Sequence, residues 1–376
     1  MQDDGTVIVG YRRRFNDVYQ IFTSALIPQH GQTYTIQNDI WPVSDDQLRV
    51  TQRVPALAED PWNTTHLLWY GSSNAEQENA RQIHYRRLSD THMSEGDVIS
   101  YVTGYAPWSE YWQEHPTIAT GNPGMLYVAW EGRDAEHRNQ QIKFSVSDNN
   151  GRTWSQWTNV RPDGEHTFSR PTLLYDEDRG RLYLFAYGSG ATTHDSNQVQ
   201  YTTSSDDGAT WSSWTLLSNG VYDARHITVT HLGGEPLVVY RAQQKEGGPT
   251  QIMYNHFKDG APTRSTRIHA SQHYQFFPSV IAAHALNTFC VAWIEEDTSS
   301  DFPKDDPSDG DILLGCKEPA QQSDTFTVYN LTPTGSHLYP SLPIETWMQQ
   351  FPVVYYDDDN GELIGRFVRL RAVVRD

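Results

Sequence analysis

A short unit that places proline at the start of an alternating strand repeats along this chain. Copies of such a unit at intervals of about 50–60 residues are typical of arrays of small supersecondary units, each stacked on the next. Proline fits the first residue of a strand because its missing N–H does least damage to the ladder there. The copies contain Pro55, Pro116, Pro171, Pro278 and Pro340, with a degenerate copy at Arg225–Val229 in which His226 replaces the proline.

Each proline strand is followed by a more apolar strand and then by a third one. Leu126–Trp130 and Gln140–Ser145 illustrate the second and third strands of one unit. Such a unit is an antiparallel meander of three or four strands, and a closed ring of such sheets protects their edges. We therefore predict an all-β fold: a seven-bladed β-propeller with four-stranded antiparallel blades, with six blades as the alternative. The first unit lacks an opening strand, which Arg371–Arg375 is expected to supply, so that the chain termini close the ring.

A single propeller domain over residues 1–376 follows from this repeat. Its blades are predicted at residues 1–45, 46–108, 109–164, 165–219, 220–270, 271–333 and 334–376.

Composition narrows the classes of partner. The net charge is −19, with 28 basic against 47 acidic residues, which disfavours nucleic acid. The apolar runs are too short for a membrane span. Met1–Asp4 does not resemble a signal peptide, and an extracellular or periplasmic location is expected only if a leader has been removed. Cys290 and Cys316 could pair but form no disulfide framework and no metal cluster, and we expect two unpaired buried thiols.

Two segments carry a family motif. Residues 204–211 read SSDDGATW and fit the pattern S-x-D-x-G-x-T-W in full, and residues 147–154 read SDNNGRTW, with Asn149 in the place of Asp. This Asp-box motif resembles that of the sialidase-like, or BNR-repeat, propellers. The resemblance implies a propeller whose ligand site lies at the strand ends around the axis.

The repeat then nominates residues at the mouth of such a ring. Arginine, histidine, tyrosine and glutamate predominate there, which in so acidic a chain predicts a site for an anionic ligand. At the starts of the opening strands stand Arg53, His115, Arg170, Arg225, Phe277 and Tyr339. At the ends of the second strands stand Arg12, Tyr70, Glu131, Tyr187, Arg241, Glu295 and Tyr356. The tyrosines Tyr70, Tyr187 and Tyr356 are expected to pack between blades rather than to take part in the chemistry.

Three functions fit this ring. Similarity to sialidases implies hydrolysis with Tyr339 as nucleophile and Arg53 and Arg241 as carboxylate clamps, although His226 replaces the activating Glu and Phe277 replaces a third Arg. Similarity to seven-bladed lyases implies β-elimination on a uronate polysaccharide, and rhamnosidases acting on rhamnose–glucuronate linkages are a further relative. A lectin-like binding module is the third function, but it usually repeats one pocket, whereas these positions differ between repeats.

We therefore expect an enzyme that cleaves an acidic oligo- or polysaccharide, with glycoside hydrolysis preferred to elimination. Tyr339 is the predicted nucleophile or proton carrier and His115 the acid/base, and Glu131 and Glu295 are candidate general acids. Predicted substrate-binding residues are Arg170, Arg225, Arg241, Arg53, Tyr187 and Tyr356. No cofactor is required by this chemistry, and the acidic segment Asp305–Asp311 is either a structural Ca²⁺ loop or a solvated acidic loop.

Overall fold

The chain is described here from a computed structural model. The described residues are 6–29, 33–38, 42–44, 50–72, 81–88, 97–101, 111–137, 139–162, 166–189, 196–296, 310–317, 325–332, 337–343, 345–346, 350–357 and 362–369. They form β-strands joined by turns, with short 3₁₀ turns at Ile99–Tyr101 and His284–Leu286 and no α-helix in these ranges. The all-β prediction is confirmed. No helix in these ranges has the length and apolar character needed to cross a membrane.

The described strands form seven sheets, and the first four follow in chain order. They are β1 (Val7–Phe15), β2 (Val18–Gln29) and β3 (Thr33–Asn38); β4 (Gln52–Glu59), β5 (Thr65–Ser72), β6 (Arg81–Leu88) and β7 (Asp97–Val98); β8 (Gln113–Thr120), β9 (Leu126–Gly132), β10 (Gln141–Ser147) and β11 (Thr158–Asn159); and β12 (Ser169–Asp176), β13 (Arg181–Gly188), β14 (Gln198–Ser204) and β15 (Thr215–Leu216).

The remaining three sheets complete the described strands. They are β16 (Asp223–Leu232), β17 (Glu235–Gln243), β18 (Thr250–Lys258), β19 (Ala261–Pro262) and β20 (Thr266–Arg267); β21 (Tyr274–Ala283), β22 (Thr288–Glu296), β23 (Asp311–Lys317) and β24 (Phe326–Asn330), joined by β26 (Glu345–Thr346); and β25 (His337–Ser341), β27 (Gln350–Asp357) and β28 (Glu362–Arg369). The chain divides into two compact units, residues 1–188 with 201–215 and residues 189–200 with 216–376.

Six of the described strands carry a β-bulge where they open their sheet. The bulged residue is left-handed, with φ between 44° and 53°, and the strand register shifts around it. In five of the six, proline follows, which suits a position where the ladder loses a hydrogen bond. The six residues are Val54, His115, Arg170, His226, Phe277 and Tyr339.

The positions of the bulges show that two of the repeats were aligned one residue out of place from the sequence. Val54, not Arg53, occupies the position of His115, and His226, not Arg225, occupies it in the fifth sheet. The sequence alignment of the degenerate copy took His226 for the missing proline, whereas Ile227 fills that place.

A repeated hydrogen-bond pattern identifies the third strand of a sheet. In the second sheet, Ser100 Oγ accepts from the backbone N of Ile83 at 3.1 Å and donates to Gln82 Oε1 at 2.5 Å. In the first sheet, Ser44 Oγ accepts from the backbone N of Ile21 at 3.0 Å and bonds Gln20 Oε1. Strands β1 and β2 therefore match the second and third strands of the next sheet. The segment predicted to supply the opening strand, Arg371–Arg375, lies outside the described residues.

The two S-x-[DN]-x-G-x-T-W segments form tight turns after the third strands of their sheets. Ser204 Oγ accepts from the Gly208 backbone N at 2.9 Å, and Asp206 Oδ1 accepts from the Thr210 backbone N at 2.9 Å. Gly208 has φ +85°, and a Cβ there would lie 2.1 Å from a Phe144 ring carbon. Trp211 packs edge-on against that ring, with centroids 5.2 Å apart. The turn therefore ties its sheet to the preceding one.

The two cysteines are paired, so the expectation of free thiols is wrong. Cys290 and Cys316 lie directly opposite each other on β22 and β23 and form a disulfide. Neighbouring antiparallel strands bring opposed Cβ atoms close enough for such a bond. The sequence could not show this, because the strand register that opposes the two residues depends on the long segment between them.

A buried ion pair stabilises the third sheet. The Lys143 ammonium and the Asp134 carboxylate are 0% and 7% exposed and bond each other directly. Asn159 Nδ2 and the His137 backbone N also donate to Asp134, at 2.9 and 2.7 Å. Burial raises the pKa of Asp134, but the bonds from Lys143 and Asn159 outweigh it and lower that pKa well below its usual value. This carboxylate therefore stabilises the fold above the unfolded-state pKa near 4, and the contribution is lost as the pH falls further.

Replacing Asp134 with Asn is expected to destabilise the protein by about 3–5 kcal/mol, because the Lys143 charge stays buried without its partner. Urea unfolding followed by tryptophan fluorescence measures the change. The control Asp148→Asn removes an exposed carboxylate of the same unit and should change the free energy of unfolding by less than about 0.5 kcal/mol. Equal effects of the two substitutions would contradict this account of the pair.

Candidate active site

A histidine–glutamate pair lies in the first unit. His115 occupies the bulge of β8, and Glu131 lies near the end of the adjacent strand β9. His115 Nδ1 is 2.7 Å from Glu131 Oε1. Because a carboxylate only accepts hydrogen bonds, Nδ1 carries the hydrogen and the histidine presents Nε2 for other chemistry. No described residue hydrogen-bonds Nε2.

Glu131 is fixed by further donors. Gln140 Nε2 donates to Oε1 at 3.1 Å, and the backbone N of Arg170 donates to Oε2 at 2.6 Å. The glutamate side chain is 4% exposed, against 17% for His115. With both oxygens engaged, Glu131 is suited to orient the histidine, as a carboxylate does in many catalytic pairs.

Tyr70, at the end of β5, packs against this histidine. The two ring centroids are 5.1 Å apart. Burial, followed by the charge of Glu114, raises the pKa of the Tyr70 hydroxyl, although the charges of nearby arginines partly oppose the shift. The hydroxyl is therefore protonated at neutral pH, on a residue whose ring lies against that of His115.

Three arginines surround Tyr70 closely enough for their charges to act on its hydroxyl: Arg53, Arg81 and Arg170. Arg81 is ion-paired with Glu114. Arg53 is half-buried and Arg170 is exposed, and neither guanidinium has a carboxylate partner among the described residues. Unpaired guanidinium groups in an acidic protein are suited to bind an anion.

Glu114, His115 and Glu131 are also close enough to share a metal ion. One ligand atom from each lies within 4.8 Å of the others. His115 Nδ1 and Glu131 Oε1 already bond each other, so the arrangement is accounted for by hydrogen bonds. The acidic segment considered for Ca²⁺ lies largely outside the described residues, since residues 301–309 are not among them.

In the second unit, the predicted arginines and Glu295 have structural partners. Arg225 Nε is 3.0 Å from Asp223 Oδ2. Arg241 is buried, with its guanidinium 5.5 Å from the centroid of the Phe276 ring. Glu295 accepts from Ser271 Oγ at 3.0 Å and Gln275 Nε2 at 2.8 Å.

The bulge positions of the second unit form an aromatic row. The ring centroids of His226 and Phe277 are 4.6 Å apart, and those of Phe277 and Tyr339 are 5.2 Å apart. Tyr339 is 41% exposed, so its ring is accessible at the end of the row. Tyr187, in the first unit, is buried opposite Ser169. Tyr356 pairs with Leu338 in the backbone, and its side chain lies outside the described residues.

The structure thus gathers His115, Glu131, Arg170 and Arg53 at one place in the first unit. Sequence reasoning took Tyr70 for a packing residue and missed Glu114 and Arg81. Glu114 could have been found, because it precedes the repeat position of His115. Arg81 opens a third strand, a position that the repeat alignment did not examine.

Comparison with known proteins supports the family resemblance. Residues 124–265 match the model of the BNR repeat-like domain. Among solved structures, an ulvan lyase of polysaccharide lyase family PL25 has a TM-score of 0.60 at 10% identity, covering 99% of this chain and 91% of that one. The NanB sialidase of Streptococcus pneumoniae has a TM-score of 0.58 at 13% identity, with coverage of 89% and 70%.

An α-L-arabinanase of Penicillium chrysogenum is also similar, with a TM-score of 0.56 at 15% identity and coverage of 85% and 93%. At these identities the likeness establishes the fold, and the prediction of a propeller is confirmed. A search of the curated proteins finds no match to the sequence.

The hydrogen bond between His115 and Glu131 predicts which nitrogen of the His115 imidazole carries the hydrogen. In spectra of ¹⁵N-histidine-labelled protein, neutral His115 is expected as the Nδ1–H form, because Glu131 accepts from Nδ1. His256 is the internal control: its Nε2 lies 3.0 Å from the Leu232 carbonyl oxygen, so it should show the Nε2–H form. His115→Gln assigns the signal. An Nε2–H form at His115 would refute the proposed orientation.

Proposed function

We propose that this chain, part of which matches the BNR repeat-like domain, is a carbohydrate-active enzyme that cleaves an acidic glycan by β-elimination at a uronate. The observation that carries the proposal is the grouping of an oriented histidine, a protonated tyrosine and two arginines that no carboxylate of the described residues pairs with. The groups are His115, Tyr70, Arg53 and Arg170.

The first requirement of elimination is neutralisation of the uronate carboxylate. Arg170 and Arg53 supply guanidinium groups that no described carboxylate occupies, and a guanidinium can bind a carboxylate through two parallel hydrogen bonds. Drawing charge from the carboxylate makes the proton at C5 acidic enough for a modest base to remove.

The second requirement is a base and an acid. His115 Nε2 takes the C5 proton, and Glu131 stabilises the resulting imidazolium through Nδ1. The electron pair of the broken C–H bond forms the C4–C5 double bond, and the C4–O glycosidic bond breaks. Tyr70 gives its proton to the leaving oxygen. The products are an unsaturated uronate at the new non-reducing end and a second fragment, whose new reducing end carries the protonated leaving oxygen as its anomeric hydroxyl.

These contacts favour elimination over the hydrolysis preferred from the sequence. Hydrolysis by an acid–nucleophile pair needs a carboxylic acid that can protonate the leaving group. Both oxygens of Glu131 and of Glu295 accept hydrogen bonds from neighbouring donors. Arg225 and Arg241, two predicted clamps, are held by Asp223 and the Phe276 ring.

Hydrolysis remains the second candidate because of Tyr339. Its side chain is 41% exposed on a left-handed bulge with φ 53°, a backbone state that costs about 1–3 kcal/mol and concentrates at functional sites. The named relatives include both a sialidase and an ulvan lyase, the latter also solved with a glucuronate–sulphated rhamnose ligand. They support carbohydrate as the substrate class.

The deciding experiment incubates the protein with uronate polysaccharides and sialosides. Ultraviolet absorbance of the conjugated unsaturated uronate and the release of reducing ends are followed together. A rise in both supports elimination. Reducing ends or free sialic acid without absorbance would instead establish hydrolysis, and binding without cleavage would indicate a lectin-like module.

Under elimination, His115→Asn and Tyr70→Phe are each expected to lower kcat by about 10²–10⁴-fold, because each removes one proton transfer. Arg170→Gln should mainly lower kcat/KM, because the uronate carboxylate loses a guanidinium that stabilises the transition state. Initial rates of absorbance change on one uronate polysaccharide measure all three.

The matched control is Arg152→Gln, which removes an exposed arginine of the same unit away from this cluster. Its kcat and KM should stay within about twofold of the parent, as expected for a surface change. If His115→Asn keeps full lyase activity and an intact fold by circular dichroism, the proposed role of this histidine is contradicted.

A further inference from the structure

The β1–β2 hairpin carries three consecutive arginines that the proposed reaction does not use. Arg12, Arg13 and Arg14 are all exposed. Among the described residues, only Arg14 has a carboxylate partner, Asp17 at 3.5 Å, and both side chains of that pair are largely in water, at 69% and 96% exposure. An ion pair of this kind contributes little and leaves the guanidinium available.

Aromatic rings hold the other two arginines. The Arg12 guanidinium lies 5.0 Å from the centroid of Tyr19, and that of Arg13 lies 4.4 Å from the centroid of Phe22. A guanidinium stacked on a ring face keeps its N–H edge free to bind an anion. The stacking also restricts the side chain before any ligand arrives, which lowers the entropic cost of binding.

The strand register places this hairpin beside the candidate active site. Arg12 is opposite Ile21, and Tyr70 is opposite Ile83. The backbone N atoms of these two isoleucines bond Ser44 and Ser100 in the same way, so Arg12 holds in the first sheet the position that Tyr70 holds in the second. Strands β1 and β2 also pack against β4, which carries Arg53.

We propose that Arg12 and Arg14, which share one face of the hairpin, form an additional subsite that binds a second acidic sugar of a polymeric substrate. The proposal rests on the proposed function for its choice of ligand. Arg13 lies on the opposite face of β1, over Phe22, because successive strand residues alternate between the two faces. The guanidinium groups of Arg12 and Arg14 bind carboxylate or sulphate groups of one chain, next to the arginines that bind the sugar being cleaved. The hairpin thereby gives the protein a preference for long acidic glycans over short ones.

The test compares two double variants with the same net charge. Arg12→Gln/Arg14→Gln removes the subsite, and Arg152→Gln/Arg264→Gln removes two exposed arginines elsewhere. Affinity for polygalacturonate and for heparin is measured by titration calorimetry over a series of NaCl concentrations. Binding, rather than turnover, is the readout.

The hairpin variant is expected to bind at least one polymer about tenfold more weakly, and the slope of log affinity against log salt concentration should fall by about two, one for each lost cation contact. The loss should be smaller for trigalacturonate than for the polymer. The control variant should stay within twofold of the parent protein.

Equal losses in the two variants would overturn the proposal, because they would reflect net charge alone. So would unchanged binding in the hairpin variant, or failure of the parent protein to bind either polymer. Tighter arginine-dependent binding of single-stranded DNA than of both glycans would overturn the choice of ligand. If no polyuronate is cleaved but the hairpin-dependent binding is found, the proposed function fails while the subsite stands.

Discussion

The left-handed bulge at the start of the opening strands is the constraint on which the candidate site depends. A residue with positive φ inside a strand turns its side chain away from the regular alternation. The proline after it has no backbone N–H to donate, but the bulge interrupts the ladder at that point, so no hydrogen bond is lost. His115 reaches Glu131 across the strand pair because of this turn. The backbone N–H of Arg170, released from its own ladder by the bulge of β12, donates to the same carboxylate.

One fold position therefore serves different chemistry in the two units. In the first unit it presents a histidine and an arginine, which bind protons and anions. In the second unit it presents the stacked rings of His226, Phe277 and Tyr339. Repetition supplies the backbone geometry, and the side chains at one position in each repeat determine the local chemistry.

The repeat made the all-β architecture predictable, because the strand period, the proline positions and the turn motifs all indicate the same small sheets. It also nominated His115, Glu131 and Arg170, which the structure brings together. The bulge limited the accuracy of the alignment: Arg53 and Arg225 stand one residue before the positions assigned to them, since a left-handed residue leaves no mark in composition. Which arginines are already paired, as Arg225 is with Asp223, depends on side-chain contacts that a repeat cannot show. Tyr70 was taken for a packing residue for the same reason: its role follows from the neighbouring His115 ring.

The disulfide has a consequence for the long acidic segment between β22 and β23. Cys290 and Cys316 join the two strands that flank residues 297–309. Cleavage of the backbone by a protease anywhere between them would leave the two fragments covalently attached, with both strands still in their sheet. Such a nicked molecule would migrate as a single chain in non-reducing electrophoresis and as two fragments once a thiol is added. The disulfide thus holds the two strands of that sheet together even after the peptide chain between them is cut.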